Sequence, residues 1–270
     1  MKKSIIGFIL GAALAVLGVY YFPEVMPVTQ RTINNDTMNS TLWMQTAAEY
    51  RALCYQGYNT ALDLLRSAKE SAKSDDKPLA VILDCDETLL DNSQADAAKI
   101  NKNATGWNVF FEWVKDAKSA AMPGAEEFLK AVDAMGVDLF YVTNRLESMR
   151  ADTLRNLKAL DFPQIDDRHV SFASGSSNKD SRFKSIEQDY NVIVYLGDNI
   201  HDFPMELYNK MMHERNAITD QNRTLFGRKY IVFPNPGSNY WLIALAEGYS
   251  RMSPAEQHKA KLDALRIWRR

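Results

Sequence analysis

The sequence predicts an α/β fold: a three-layer sandwich whose central parallel sheet is flanked by helices, with a smaller, mainly α-helical cap or side domain. Three observations carry this. Apolar strand-like runs alternate with helical segments from residue 79 to residue 233, and such alternation requires a parallel sheet with right-handed crossovers. The first run, Leu79 to Leu83, is apolar at every position, as in a strand buried on both faces. Polar residues then follow the ends of successive runs: Asp84 and Asp86, Thr143 and Asn144, Lys179, and Asp198 and Asp202. In a parallel sheet those ends share one rim, where open α/β sheets bind ligands.

The bulk properties set the limits. With 270 residues, 46% of them hydrophobic and 24% charged, the chain can fill one domain with or without a cap. A net charge of −2 gives no reason to expect a nucleic acid polymer as partner, so any anion specificity must be local. Two cysteines, Cys54 and Cys85, cannot build a disulfide framework. Cys85 is expected to face the core beneath its strand and Cys54 to sit on a helix, which favours two free thiols over a single pair.

Residues 1–22 read as a targeting segment. Lys2 and Lys3 precede an apolar run from Ile5 to Phe22, and Pro23 ends it. At about 18 residues the run is just long enough to span a bilayer, so a cleaved signal and a retained membrane anchor both remain open. Ala13-Leu14-Ala15 offers a small-x-small cleavage site, with no cysteine nearby for lipid attachment. The remainder of the chain is expected in the cell envelope, outside the cytoplasm. Residues 23–39 are polar and read as a linker.

A helical segment of the side domain is expected over 40–77. Leu42, Ala47, Tyr50, Leu53, Tyr58, Leu62 and Leu65 recur at spacings of three to five, with Gly57 as an interruption. The core is expected over 78–237. Asp84 and Asp86 lie two residues apart, so on an extended strand they point to one side while Cys85 points to the other. An insertion, 93–122, carries no predicted strand but holds Trp107, Phe110, Phe111 and Trp113. Two readings stand for these aromatics: a buried helix face, or rings that overhang the rim and stack on a planar substrate group. Pro123-Gly124 opens a helix from Ala125 to Met135, closed by Gly136. Further strands are predicted at 137–142, 169–172, 192–196 and 230–233, with helices over 147–160 and through Gln188. A helical region closes the chain over 238–270. Its Arg-Ile-Trp-Arg-Arg end is expected as an amphipathic helix end packed on the domain, with contact to a membrane or a partner as the alternative.

Several carboxylates, a hydroxyl and an ammonium on one rim suit phosphoryl transfer, in which a hard cation takes oxygen ligands and phosphoryl oxygens take positive donors. The motifs then become recognisable. LDCDET, YVTNR, the Lys179 loop and GDNIHDF resemble the four motifs of the haloacid dehalogenase superfamily. More closely, TLWMQTAAEYRALCYQGYN, LDNS, EWV, MPGA, FYVTNR, KDSRF, GDN with DF, and PNP with Trp241 are similar in order and spacing to the class C acid phosphatases. Those are bacterial envelope 5′-nucleotidases usually attached as outer-membrane lipoproteins. The similarity runs from about Leu42 to Trp241.

The resemblance implies roles. Asp84 is the nucleophile that forms an aspartyl-phosphate, a task a carboxylate performs without prior deprotonation at neutral pH. Asp86 is the acid and base that serves the leaving group and then water. Mg²⁺ sits between Asp84, the backbone carbonyl of Asp86 and Asp198, with Asp202 in support. Thr143, the backbone amide of Asn144, and Lys179 hold the phosphoryl oxygens. Lys184 is the rival to Lys179; Arg145 is expected as an ion-pair partner and His201 is left out of the metal set. Phe110, Trp113 and Tyr240 are the candidate substrate-binding aromatics. Ser238 stands where family members often carry a tyrosine, and Phe110 where a tryptophan is expected, so nucleotide preference stays open. The expected activity is Mg²⁺-dependent hydrolysis of small phosphomonoesters. The alternatives are phosphoryl transfer to an alcohol and a non-enzymatic envelope binding or adhesion protein. A homodimer is compatible with the sequence.

Overall fold

Strand β1 (Leu79–Leu83) is buried at all five positions because it faces two cores. Leu79, Val81 and Leu83 enter one, with Leu139, Tyr141, Val194 and Leu196; Ala80 and Ile82 enter the other, with Phe140, Val142, Val192 and Tyr195. The period of two thus splits one apolar run between the faces of a sheet. Strands β2 (Leu90–Asp91) and β3 (Ala120–Ala121) form a separate antiparallel pair. Strands β4 (Asp138–Leu146), β5 (Val170–Ala173), β6 (Asn191–Gly197) and β7 (Tyr230–Val232) complete the main sheet, in the parallel order β5-β4-β1-β6-β7. β1 is central, so its carboxyl end emerges between those of β4 and β6.

The computed structural model describes residues 28–104, 106–238 and 240–268, and the targeting segment expected over 1–22 lies outside them. Among the described residues no helix is long and apolar enough to cross a membrane. The helices in chain order are α1 (Gln30–Asp36), α2 (Met38–Thr46), α3 (Ala48–Ser71), α4 (Ser93–Lys102), α5 (Asn108–Asp116), α6 (Ala125–Ala134), α7 (Arg150–Ala159), α8 (Asp180–Asp189), α9 (Met212–Gln221), α10 (Tyr240–Ile243) and α11 (Pro254–Ala264). α3, α6 and α7 cover one face of the sheet through Tyr58, Leu65, Phe128, Leu129 and Leu157. α8 covers the other through Phe183. Cys54 and Cys85 are both buried, and no disulfide joins them.

Several expectations need correction. The linker read over 23–39 carries α1 and the start of α2. Thr29 caps α1 through a capping box with Thr32, and α1 packs on α4 and α11. Docking of this kind stabilises helices too short and polar to persist alone. The helical break expected at Gly57 falls instead at Ala47, whose backbone is extended. Gly57 lies inside α3, where an added Cβ would stand 3.0 Å from the Phe233 ring, so the glycine permits close approach. The buried stripe of α3 is Tyr50, Cys54, Gly57, Tyr58, Ala61 and Leu65, whereas Leu42 and Leu53 are exposed. The insertion does contain a strand, β3.

Helix α9 was not legible. MHERNAITDQ buries only Arg215 and offers no apolar period. The closing helical region is broken: Gly248 adopts φ 72°, Ser253 caps α11, and the chain leaves helix at Leu265. Trp268 is therefore exposed instead of lying on a packed helix end.

Candidate active site

The rim is built from the ends of β1, β4 and β6. The Asp84 amide donates to the Leu196 carbonyl at 2.9 Å, which carries sheet pairing one residue past β1. The chain then turns through Glu87, a non-glycine residue with φ 56°, and the Leu90 amide closes the turn on the Cys85 carbonyl at 2.8 Å. Cys85 drops into the core as its alternation requires. The Asp84 and Asp86 side chains diverge, one toward β6 and the other toward β4.

On the β6 side, Asp84, Asp198 and Asp202 bring carboxylate oxygens within 4.8 Å of one another. Lys179, 2% exposed, contacts Asp84 through Nζ and donates to Asp202 at 2.7 Å. Burial works against the ammonium, but Asp202 and Asp84 outweigh it and hold Lys179 above the ordinary lysine range. Lys184, its rival, is exposed. The Asn199 amide fixes Asp202 at 2.9 Å, and the Asn235 amide nitrogen donates to Asp198 at 2.8 Å. Gly197 leaves room for this: a Cβ there would fall 2.2 Å from that of Asp202.

Three carboxylates against one ammonium leave negative charge uncompensated. Burial first, and then the neighbouring carboxylates, push Asp84 and Asp198 above the usual carboxylate range despite Lys179. An oxygen-only donor set with surplus negative charge fits a hard divalent cation.

On the β4 side, Arg145 grips Asp86. Its Nε lies 3.0 and 3.1 Å from the two carboxylate oxygens and its Nη2 lies 2.7 Å from one of them. Asn92 donates to the same carboxylate at 2.8 Å. Asn92 also accepts from Trp113 Nε1 at 2.9 Å and from Ser119 at 2.8 Å. The Arg145 guanidinium lies 5.7 Å from the centre of the Phe110 ring. α5 thus ties Trp113 and Phe110 to the Asp86 side of the rim. Thr143 is fully buried and accepts from the Arg145 amide at 3.0 Å. Arg182 crosses behind, donating to the Thr143 carbonyl at 2.6 Å and to the Asn144 side chain at 2.8 Å. The Asp86 carboxylate stands outside the Asp84–Asp198–Asp202 group.

Tyr240 closes a third side, its ring 6.2 Å from that of His201. Burial and then the Asp84 charge push the Tyr240 phenol up to about 12. Burial, and then Arg215, whose Nη1 lies 2.8 Å from Nε2, lower the His201 pKa from its ordinary value.

Residues 24–241 match the family model described as HAD superfamily, subfamily IIIB (acid phosphatase). The chain belongs to this acid phosphatase family. It is similar to the class C acid phosphatase of Bacillus anthracis, at 32% identity and a TM-score of 0.84, over 89% of this chain and 100% of that one. The same Bacillus anthracis enzyme with tungstate bound matches at 32% identity and a TM-score of 0.84, over 87% and 99%. This member of the class C acid phosphatases is a phosphomonoester hydrolase with the haloacid dehalogenase α/β fold. Phosphatases of the superfamily use divalent metal ions, for which the three aspartates are the candidate ligands. Sequence reading assigned no role to Asn92, Arg182 or Asn235, although each lies in a motif that marks the family: LDNS, KDSRF and PNP.

Proposed function

We propose that this acid phosphatase works through an aspartyl-phosphate on Asp84, with Mg²⁺ held by Asp84, Asp198, Asp202 and the backbone carbonyl of Asp86. The observation that carries this reading is the buried Asp84 carboxylate, set between Lys179 and two further aspartates at the end of the central strand. An Asp84 oxygen attacks phosphorus as the ester P–O bond breaks, and Asp86 gives its proton to the departing oxygen. Water then attacks the phosphoryl group, Asp86 takes a proton from it, and phosphate leaves as the Asp84 carboxylate is restored. The Thr143 hydroxyl, the Asn144 amide and the Lys179 ammonium hold the phosphoryl oxygens as charge develops. A bound divalent cation supplies the positive charge that offsets repulsion between the carboxylates and an incoming phosphate. The Bacillus anthracis relative has tungstate, a tetrahedral oxyanion, bound, which supports an oxyanion-binding function for this chain.

We further propose that Phe110, Trp113 and Tyr240 take the planar part of a leaving group, such as the base of the nucleoside released from a 5′-nucleotide, and that residues 1–22 hold the enzyme in the cell envelope. The decisive experiment is phosphate release from p-nitrophenyl phosphate, glycerol phosphate and a panel of nucleotides, with Mg²⁺ and then with EDTA. Asp84→Asn is expected to abolish turnover, and residual turnover near wild type would remove the nucleophile assignment. Tyr240→Ala should raise KM for nucleotides severalfold with little effect on glycerol phosphate; equal effects on both would remove the stacking role. Transfer of phosphate to added glycerol would show a phosphotransferase on the same site.

A further inference from the structure

The end of α11 and the chain beyond it carry a surface that the phosphatase reaction does not use. Leu262 is 51% exposed, Leu265 62%, Ile267 69% and Trp268 77%, four large apolar side chains within seven residues. Residues 264–270, ALRIWRR, contain three arginines and no acidic residue. The acidic residue at its start, Asp263, is matched by Lys259 at 2.6 Å, and Asp36 of α1 by Lys261 at 3.0 Å. An apolar and aromatic stretch interleaved with arginine is the composition of a segment that lies in the headgroup region of a bilayer.

Its place in the fold gives it a neighbour. α11 packs on α1 and is joined to it by Lys261 and Asp36. α1 begins at Gln30, and the apolar run of the sequence ends at Phe22. The seven residues 23–29 reach at most about 25 Å even when extended. A membrane that holds residues 5–22 is therefore within reach of α1 and of the segment that follows α11.

We propose that residues 262–268 dock on an anionic bilayer surface, as a second contact beside the N-terminal segment. The proposal rests on the reading of residues 1–22 as a retained anchor. Leu265 and Ile267 enter the headgroup region, Trp268 sits at its boundary, and Arg266 pairs with lipid phosphate. Two contacts hold α1 and α11 against the membrane.

The full chain is reconstituted into vesicles of phosphatidylcholine with or without phosphatidylglycerol, recovered by flotation, and digested briefly with trypsin. Cleavage after Arg266 is expected to be severalfold slower in the anionic vesicles than in the zwitterionic ones. A Leu265→Glu, Ile267→Glu variant should float normally, hydrolyse p-nitrophenyl phosphate at the wild-type rate and lose the protection. Equal cleavage in both vesicle types overturns the proposal. So does protection that grows with the number of protein molecules per vesicle, which would put a second copy on this face. Protein that does not float overturns the anchor reading together with this one, whereas floating protein with an unprotected segment overturns this one alone.

Discussion

Arg145 holds Asp86 in a two-armed grip, with Nη2 2.7 Å from one carboxylate oxygen and Nε 3.1 Å from the other. The guanidinium is buried and aimed by its own strand, and Asn92 secures the same carboxylate from a second direction. The acid–base candidate is thereby kept off the cation-binding group and pointed independently of the nucleophile candidate.

Arg145→Lys should cost turnover more than binding. Lysine keeps the charge but loses the fork that fixes the carboxylate plane. Loss of a charge-assisted bidentate contact worth about 1.5 to 3 kcal/mol corresponds to roughly a 10- to 100-fold fall in kcat. Steady-state kinetics on p-nitrophenyl phosphate check this, with KM expected to change little.

Lys179→Met should destabilise the protein, because it leaves Asp84 and Asp202 without their shared cation. Breaking a buried pair by removing one partner costs about 3 to 5 kcal/mol. Thermal melts in EDTA should show a clear drop in Tm, and added Mg²⁺ should recover part of it.

The metal-free protein should lose stability as pH rises. Burial moves Asp84 from 3.8 to about 7 and also raises Asp198. A carboxyl with a raised folded value binds more protons folded than unfolded, so folding grows less favourable as pH climbs from 3.8 to about 7. Lys179 is raised in a far more alkaline range and does not oppose this trend in that window. Melts in EDTA should give a higher Tm at the acidic end than at the neutral end, and Mg²⁺ should stabilise more at the neutral end. A Tm that rises with pH in EDTA would contradict the burial account.

Gly197→Ala should impair the cation site without touching the nucleophile. The new methyl would stand 2.2 Å from the Asp202 Cβ, which no rotamer can relieve, so the 200–202 turn must move. Titration of activity against Mg²⁺ should show at least about a tenfold weaker requirement curve, on the scale of a lost metal-supporting contact.

Much of this molecule is written locally. LAVIL is a buried strand because five consecutive apolar residues leave no polar face. The aspartates at its end, and the polar residues after 142, 178 and 197, could be placed on one rim because parallel strands share a direction. Alternation over two residues also sent Cys85 into the core. Other features depended on contacts distant in sequence. α1 is polar and short and exists where α4 and α11 meet it. α9 presents no apolar stripe, and the closing helical region breaks where Gly248 and Ser253 redirect the chain. Sequence determined the fold class and the rim. Tertiary structure alone decided that Asp84 and Asp86, two residues apart, serve different neighbours: β1 lies between β6 and β4, so one carboxylate meets Lys179 and Asp202, and the other meets Arg145. The order of strands in a sheet comes from packing between segments far apart in the chain, and no local pattern encodes it.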